Sequence, residues 1–361
     1  MNDNESTLNE TPSAGRLRIA FFGLRNAGKS TLVNDFTGQD VAIVSDTPGT
    51  TTDPVSKAME ILPLGPCLVT DTAGLDDEGE LGRQRVEKTL KVLETTDIAV
   101  WVSARKDEDS DAHRRFVETC AKRNVVVFEF ARGDSVVELR RRIASVRTAD
   151  DTPGLLDGLV GERDRVTCVC PIDASAPKGR LILPQVQVIR ECLDRHLVCR
   201  VCQVEEFVDD GSLVITDSQA FGRVKAKRLT SFSILFARQK GDLDVFRRGL
   251  EAIGRLVDGD TVLVAEGCTH HRQCNDIGSV KIPKALAKLT GRKLAFTFAS
   301  GRTFGDFDRE GRARPALVVH CGGCMLTRRE MMRRIRIADA AGVPIVNYGL
   351  LLAAAAGQRT I

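Results

Sequence analysis

Residues 23–30 read Gly-Leu-Arg-Asn-Ala-Gly-Lys-Ser, and this stretch decides the fold of the N-terminal part of the chain. An apolar run at 17–23 precedes it, and a helical pattern starts near Lys29. The two glycines let the backbone curl so that its amide groups point at phosphate oxygens. Lys29 then reaches the β- and γ-phosphates, and the hydroxyl of Ser30 binds Mg²⁺. The pattern therefore predicts a phosphate-binding loop rather than an ordinary glycine turn.

Two further motifs follow the loop in the order that a nucleotide-hydrolysing domain requires. Residues 71–74, Asp-Thr-Ala-Gly, end a second predicted strand, where a Mg²⁺-linked Asp and a γ-phosphate-sensing Gly are expected. Residues 49–53, Gly-Thr-Thr-Thr-Asp, can offer a Thr hydroxyl to Mg²⁺. Order and spacing resemble the translation-factor-like GTPases, especially the Era/TrmE group. The resemblance implies a site for GTP and Mg²⁺ formed by Gly23, Asn26, Gly28, Lys29, Ser30, Thr31, Thr50, Thr51, Asp71 and Gly74, with Ser30, Thr51 and Asp71 on Mg²⁺.

The residue after 71–74 departs from the Ras-type enzymes. It is Leu75, whose apolar side chain cannot orient the attacking water as a Gln does. Asn26 stands where potassium-activated relatives carry an Asn that helps to bind K⁺ beside the phosphates. A monovalent cation there can supply the charge that an arginine finger supplies elsewhere. We therefore expect K⁺ as a cofactor, with a loop-stabilising turn role as the alternative for Asn26, and a catalytic set of Lys29, Asn26, Thr51 and Asp71.

The motif that reads the guanine base is missing from the sequence. Guanine recognition normally uses Asn-Lys-x-Asp, and the nearest match is Ala-Arg-Gly-Asp at 131–134, which keeps only the final Asp. The same stretch equally fits the later Ser-Ala loop of such domains in altered form. In either case one strand–loop unit is absent, so the domain is predicted to be short. Asp134 is the candidate for base recognition, and the preference for GTP over ATP rests on the family resemblance.

Strands alternate with helical stretches along the chain, which predicts an α/β fold with a parallel sheet covered by helices on both faces. A length of 361 residues favours two or three domains. We expect a shortened N-terminal P-loop GTPase domain followed by two smaller α/β domains. The predicted bounds are 1–15 for a disordered tail, 16–150 for the GTPase domain, 151–164 for a linker, 165–260 for the second domain and 261–361 for the third.

Composition argues against several classes of protein. The chain has 52 Lys plus Arg against 49 Asp plus Glu, and a net charge of +3 gives no general case for nucleic-acid binding. One Trp and one Tyr argue against base-stacking platforms. The absence of a signal peptide and of a long apolar run predicts a cytoplasmic protein without a membrane partner. Its eleven cysteines are then candidates for metal binding rather than for disulfides.

Cysteine and histidine residues cluster at two places in the third segment. Residues 268–271 read Cys-Thr-His-His, and residues 320–324 read His-Cys-Gly-Gly-Cys. Each cluster follows an apolar strand (261–266 and 316–319), so both should emerge where open α/β sheets bind ligands. Three Cys with one His can hold zinc or an iron–sulfur cluster, and buried thiols with capping His remain the alternative. Two weaker pairs lie in strand-like runs and are expected to be core: Cys168-x-Cys170 and Cys199-x-x-Cys202.

The pattern Cys-x-His followed by His-Cys-x-x-Cys resembles the signature of HydF, the GTPase maturase of iron-only ([FeFe]) hydrogenases. Further matching stretches are 50–55 (Thr-Thr-Thr-Asp-Pro-Val), 74–79 (Gly-Leu-Asp-Asp-Glu-Gly), 176–185 (Ala-Pro-Lys-Gly-Arg-Leu-Ile-Leu-Pro-Gln) and 344–349 (Pro-Ile-Val-Asn-Tyr-Gly). The resemblance implies a scaffold that carries the two-iron precursor of the hydrogenase active site and delivers it to apo-hydrogenase. It implies a dimerisation domain at 165–260 and a cluster-binding domain at 261–361.

The same resemblance implies a 4Fe–4S cluster with one position that is not a cysteine. Its ligands would be Cys268, Cys321 and Cys324, with His270 and His320 as candidates for the fourth position and Cys274 as a rival thiolate. The implied partners are apo-hydrogenase, the radical-SAM maturases that load the precursor, and further copies of the chain in a dimer or tetramer.

Two other functions compete with this one. The first is a ribosome- or tRNA-associated GTPase of the Era/TrmE kind with a structural zinc, which the near-neutral charge disfavours. The second is a radical enzyme with its own cluster, which fails because Cys-x-x-x-Cys-x-x-Cys is absent.

Overall fold

The chain forms two compact units, divided between residues 149 and 150. The computed structural model describes residues 16–38, 54–62, 64–77, 79–105, 110–146, 153–172, 179–267, 276–300, 304, 307 and 314–360. Within those ranges, no helix is long and apolar enough to cross a membrane.

The first unit is a five-stranded sheet with helices on both faces. Its strand order is β2-β3-β1-β4-β5, with β2 antiparallel to β3 and the other strands parallel. The elements are β1 (Leu17–Gly23), α1 (Lys29–Thr37), β2 (Val55–Ile61), β3 (Gly65–Asp71), α2 (Gly79–Leu93), β4 (Ile98–Ser103), α3 (Asp111–Lys122), β5 (Val126–Ala131) and α4 (Val136–Ala144).

Strand β1 explains why this sheet is covered on both sides. Alternate residues of a strand face opposite sides of the sheet. Phe21 packs on one side with Phe36 of α1, and Phe22 packs on the other with Phe116 of α3. All four rings are buried. A central strand that is apolar on both faces needs helices on both faces, as the sequence predicted.

The second unit contains two four-stranded parallel sheets, with strand orders β7-β6-β8-β9 and β11-β10-β12-β13. The elements of the first half are β6 (Arg165–Val169), α5 (Leu183–Asp194), β7 (Val198–Cys202), β8 (Leu213–Thr216), β9 (Leu229–Ser231), α6 (Phe232–Lys240) and α7 (Leu243–Ala252). Those of the second half are β10 (Thr261–Glu266), α8 (Ile282–Thr290), β11 (Ala295–Ser300), β12 (Leu317–His320), α9 (Arg328–Ala340), β13 (Ile345–Asn347) and α10 (Tyr348–Ala355).

One hydrophobic core joins the two halves of the second unit. Phe221 and Phe246 from the first half belong to the same buried cluster as Val264 and Leu351 from the second. Helix α7 lies so close to β13 that a Cβ added at Gly249 would sit 1.9 Å from the carbonyl oxygen of Ile345. The halves therefore pack as one body, and the boundary expected at residue 260 stays a prediction.

The strands expected at 261–266 and 316–319 coincide with β10 and β12 to within one residue. Strand β2 was not predicted. It is an edge strand whose side chains are mostly exposed or half-buried, so its sequence lacks a strong apolar signal.

Candidate functional site

The phosphate loop has the backbone that its sequence requires. Gly23 has φ of +152° and a Cβ there would lie 2.3 Å from the carbonyl oxygen of Val102, while Gly28 has φ of +92°. Both positions therefore need glycine. Asn26 adopts φ of +61°, a left-handed conformation that Asn tolerates better than most residues. Helix α1 starts after Gly28 without a side-chain cap, which leaves its first amide groups for an anion.

Lys29 is buried and points back along the loop. Its Nζ donates to the carbonyl oxygens of Leu24 at 2.7 Å and Gly23 at 3.4 Å. Burial lowers the pKa of this ammonium, and the nearby carboxylate of Asp71 opposes that shift. The cation thus lies at the phosphate cradle in the place that the motif predicts.

Ser30 and Asp71 bring two oxygen ligands together. The Ser30 hydroxyl donates to Oδ2 of Asp71 at 2.6 Å. Asp71 is completely buried, and its Oδ1 has no hydrogen-bond partner in the described part of the chain. Burial raises the pKa of this carboxyl, while the Ser30 hydrogen bond and the Lys29 charge lower it. An unpartnered buried carboxylate oxygen beside a hydroxyl fits a hard divalent cation such as Mg²⁺.

The segment after 71–74 is joined to the phosphate loop. A Cβ at Gly74 would lie 2.9 Å from the amide nitrogen of Arg25, so only glycine allows this approach. The amide of Leu75 donates to the carbonyl of Gly23 at 3.2 Å, and that of Arg25 donates to Asp76 Oδ1 at 2.6 Å. The structure thus unites most of the predicted nucleotide residues. Thr31 lies exposed in the first turn of α1, while Thr50 and Thr51 fall outside the described residues.

The loop after β5 holds the base-recognition candidate. Oδ2 of Asp134 accepts a hydrogen bond from the amide of Ala131 at 2.9 Å, and the amide of Asp134 donates to the carbonyl of Ala131 at 3.0 Å. The side chain therefore closes a turn directly after the strand. Within the described residues of the first unit, β5 is the one strand that follows β4, in agreement with the expected shortening.

The second site is a cavity of about 1080 Å³ in the second unit. Cys321 and Cys324 line it, immediately after β12. The amide of Gly267 donates to Sγ of Cys321 at 3.2 Å. Such N–H···S contacts stabilise a thiolate and are typical of iron–sulfur ligands. Further wall residues are Cys170, Cys202, Glu266 and Tyr348.

His320 has a supporting position rather than an open one. It is fully buried, and Nη1 of Arg334 lies 2.9 Å from its Nε2. A guanidinium can only donate, so Nε2 accepts and the ring is neutral, with Nδ1–H donating to the carbonyl of Cys321 at 2.7 Å. Burial lowers the pKa of His320 to about 3. Both ring nitrogens are engaged, which favours His270 over His320 as an iron ligand.

Several predicted ligands lie outside the described residues, namely Cys268, His270 and Cys274. Among the residues that the structure describes, no group of three or more His, Cys, Asp and Glu could hold a metal ion. Cys321 and Cys324 therefore remain two members of a predicted ligand set.

The weaker cysteine pairs behave largely as core residues. Cys168 and Cys170 are buried, and Cys199 and Cys202 are half-buried. Sγ of Cys168 lies 3.9 Å from Sγ of Cys199, in a cluster with other apolar side chains. All nine cysteines in the described ranges are free thiols.

Sequence reasoning missed Lys240. This buried residue ends α6, and its Nζ donates to carbonyl oxygens of the loop between Cys321 and Leu326. The contacts span more than eighty residues of sequence, so no local sequence motif indicates them.

Comparison with protein-family models identifies the family of this chain. Residues 155–241 match the hydrogen maturase F dimerization domain, and residues 244–361 match the hydrogen maturase F tetramerization domain. This chain belongs to the HydF family. Residues 18–129 match a 50S ribosome-binding GTPase domain, so a GTPase domain precedes the two HydF domains. The HydF matches favour a hydrogenase-maturation GTPase over a ribosome- or tRNA-associated one.

Curated GTPases are similar to about a quarter of this HydF-family chain. The tRNA modification GTPase MnmE of Zymomonas mobilis is 36% identical over 92 residues, which cover 25% of this chain and 21% of that protein. GTPase Der of Campylobacter hominis is 36% identical over 98 residues, covering 27% and 21%. The chain thus spans about a fifth of the length of these relatives. A solved structure of Aquifex aeolicus Era, a variant bound to GDP and AlF4⁻, aligns with 81% of this chain and 95% of its own at 15% identity and a TM-score of 0.28.

Proposed function

We propose that this HydF-family chain is a cytoplasmic, GTP-hydrolysing scaffold that holds a 4Fe–4S cluster and delivers the two-iron precursor to apo iron-only hydrogenase. The observation that carries the proposal is the cavity of about 1080 Å³ with Cys321 and Cys324 in its wall. It lies in the part of the chain that matches HydF domains, while the phosphate loop belongs to the matched GTPase domain.

The nucleotide half of the proposal rests on the P-loop contacts. Lys29 supplies a cation at the β- and γ-phosphates, and Ser30 and Asp71 supply oxygen ligands for Mg²⁺. Thr51 completes this set from the sequence pattern. Leu75 cannot orient water, so K⁺ held by Asn26 supplies additional positive charge at the phosphates. Asp134, in the loop after β5, is the candidate for guanine recognition.

The cluster half rests on the donor chemistry around Cys321. Its Sγ accepts the Gly267 amide, and Cys268 is the next residue in sequence after Gly267. Thiolates are the ligands that iron–sulfur clusters prefer, and three of them leave one iron corner for a replaceable ligand. Cys268, Cys321 and Cys324 would bind the cluster, with His270 at the fourth position. When bound, the cluster supplies an exchangeable iron site for the cargo.

The size of the cavity supports a role in carrying cargo. A volume of about 1080 Å³ exceeds the needs of a structural zinc site and lies at the upper end of small-molecule pockets. The dimerization and tetramerization domains of the family support self-association. The remaining partners that we propose are apo-hydrogenase and the radical-SAM maturases.

Anaerobic reconstitution with iron and sulfide tests the proposal. Wild type should take up four irons per chain, turn brown and show a 4Fe–4S spectrum, whereas Cys268→Ser, Cys321→Ser and Cys324→Ser should each lose it. Cys202→Ser is the matched control, because Cys202 lines the same cavity outside the pattern. A colourless wild type with one zinc per chain would refute the cluster and favour the structural zinc of the Era/TrmE-like alternative. Loss of the cluster in Cys274→Ser but not in Cys268→Ser would refute the ligand set.

A further inference from the structure

Lys240 is a buried cation at the cysteine loop. It is 6% exposed, and its Nζ donates to the carbonyl oxygens of Leu326 at 2.6 Å, Cys324 at 2.9 Å and Gly323 at 3.4 Å. Nζ also lies 5.1 Å from the ring centroid of Phe236. Three acceptors of one short loop thus converge on one ammonium group.

The loop between Cys321 and Leu326 is shaped to present those carbonyls. The amide of Leu326 donates to the carbonyl of Gly323 at 2.9 Å, and Gly323 has a left-handed φ of +68°. A Cβ at Gly323 would lie 2.4 Å from Cε of Met331, and one at Gly322 would lie 3.0 Å from Cα of Ser233. The glycines let the loop fit between α6 and α9, where Lys240 reaches it.

The ammonium group of Lys240 donates hydrogen bonds to the loop, and the loop carbonyls stabilise the buried ammonium group in return. Burial lowers the pKa of Lys240 to about 8, and the neighbouring Cys324 and Cys321 oppose that shift. Removing the side chain would take the ammonium donor away from the carbonyl oxygens of Cys324 and Leu326 at a buried position, which is costly, while the Gly323 carbonyl would keep the amide of Leu326. The contacts also join α6, in the segment that matches the dimerization domain, to a loop in the segment that matches the tetramerization domain.

We infer that Lys240 is a positioning residue that fixes the cysteine loop and places a positive charge beside the cluster that Cys321 and Cys324 would hold. The inference rests on the proposed cluster site. A nearby cation stabilises the more negatively charged, reduced form of a cluster, so Lys240 raises its reduction potential. It acts through the loop and through its charge, without binding iron.

Lys240→Met tests this inference against a matched control. Lys288→Met removes another lysine whose Nζ donates to a carbonyl, that of Ala355 at 2.6 Å, from an exposed position. In the apo-protein, hydrogen exchange of a peptide covering 321–327 should become at least about tenfold faster in Lys240→Met and remain unchanged in Lys288→Met. In the reconstituted protein, the midpoint potential should become more negative in Lys240→Met alone, and Lys240→Arg should restore it.

The two measurements separate this inference from the proposed function. If apo Lys240→Met exchanges faster but the wild-type chain binds no cluster, the cluster is refuted and the positioning role of Lys240 is retained. Unchanged exchange together with an unchanged potential would overturn the inference while leaving the cluster intact. If Lys240→Met does not fold, Lys240→Gln, which keeps an N–H donor without the charge, is measured in the same way. A folded Lys240→Gln variant whose cluster has the wild-type midpoint potential would exclude a role for the charge of Lys240.

Discussion

Ser30 and Asp71 share a hydrogen bond of 2.6 Å that uses one carboxylate oxygen of Asp71 and leaves the other, buried Oδ1 without a partner in the described residues. A cation between these groups would satisfy that oxygen. Asp71→Asn removes the charge but keeps the shape of the side chain. We expect GTP hydrolysis to fall by about 100-fold and to need more Mg²⁺. Mg²⁺ titration of steady-state rates, with exposed Asp35→Asn as control, measures this; equal Mg²⁺ dependence in both variants would exclude the assigned role.

Asn26 has two possible roles, binding of K⁺ and stabilisation of the turn. Its left-handed φ of +61° allows substitutions that distinguish the two. Asn26→Gly keeps the loop conformation and removes the side-chain amide, whereas Asn26→Ala adds strain of about 1–2 kcal/mol. If Asn26 holds K⁺, wild type will hydrolyse GTP faster in KCl than in NaCl at equal ionic strength, and Asn26→Gly will lose this difference. A potassium response that survives in Asn26→Gly would leave only the turn role.

Asp134 both closes a turn and stands as the base-recognition candidate. Asp134→Asn retains an oxygen for the Ala131 amide, 2.9 Å away in the wild-type chain, but lacks the second carboxylate oxygen needed by the guanine edge. We expect GTP affinity to fall by roughly tenfold, as for one lost charged hydrogen bond, with little change in ATP affinity or stability. Competition binding of GTP against ATP measures it. A strong preference for GTP in the variant would place base recognition elsewhere.

Gly249 lets α7 contact β13. Gly249→Ala would push a Cβ to 1.9 Å from the Ile345 carbonyl oxygen, and overpacking of this kind costs about 1–3 kcal/mol. The free energy of unfolding of the second unit should fall by that amount in urea titrations. Gly254→Ala is the control, because a Cβ there meets nothing within 4 Å. Equal stability of the two variants would contradict the close approach.

Local motifs made the phosphate loop and the cysteine loop predictable. Gly23 and Asp71 end the strands β1 and β3, and Lys29 begins the helix that follows the loop, so both chemistry and position could be predicted from the sequence. Lys240 and Arg334 were not predictable, because their contacts join distant segments and depend on how helices pack. Thr51 and Cys268 remain predictions, since they lie outside the described residues.

The shared hydrophobic core of the second unit determines how the chain can be divided into fragments and how it unfolds. A fragment that ends between α6 and α7, where the two family matches meet, would expose Phe221 to solvent along with its neighbours. Cutting there would therefore yield two aggregation-prone pieces, whereas a cut near residue 150 would separate two bodies with their own cores. Heat should accordingly melt the chain in two cooperative steps instead of three, and calorimetry of the whole chain can count them.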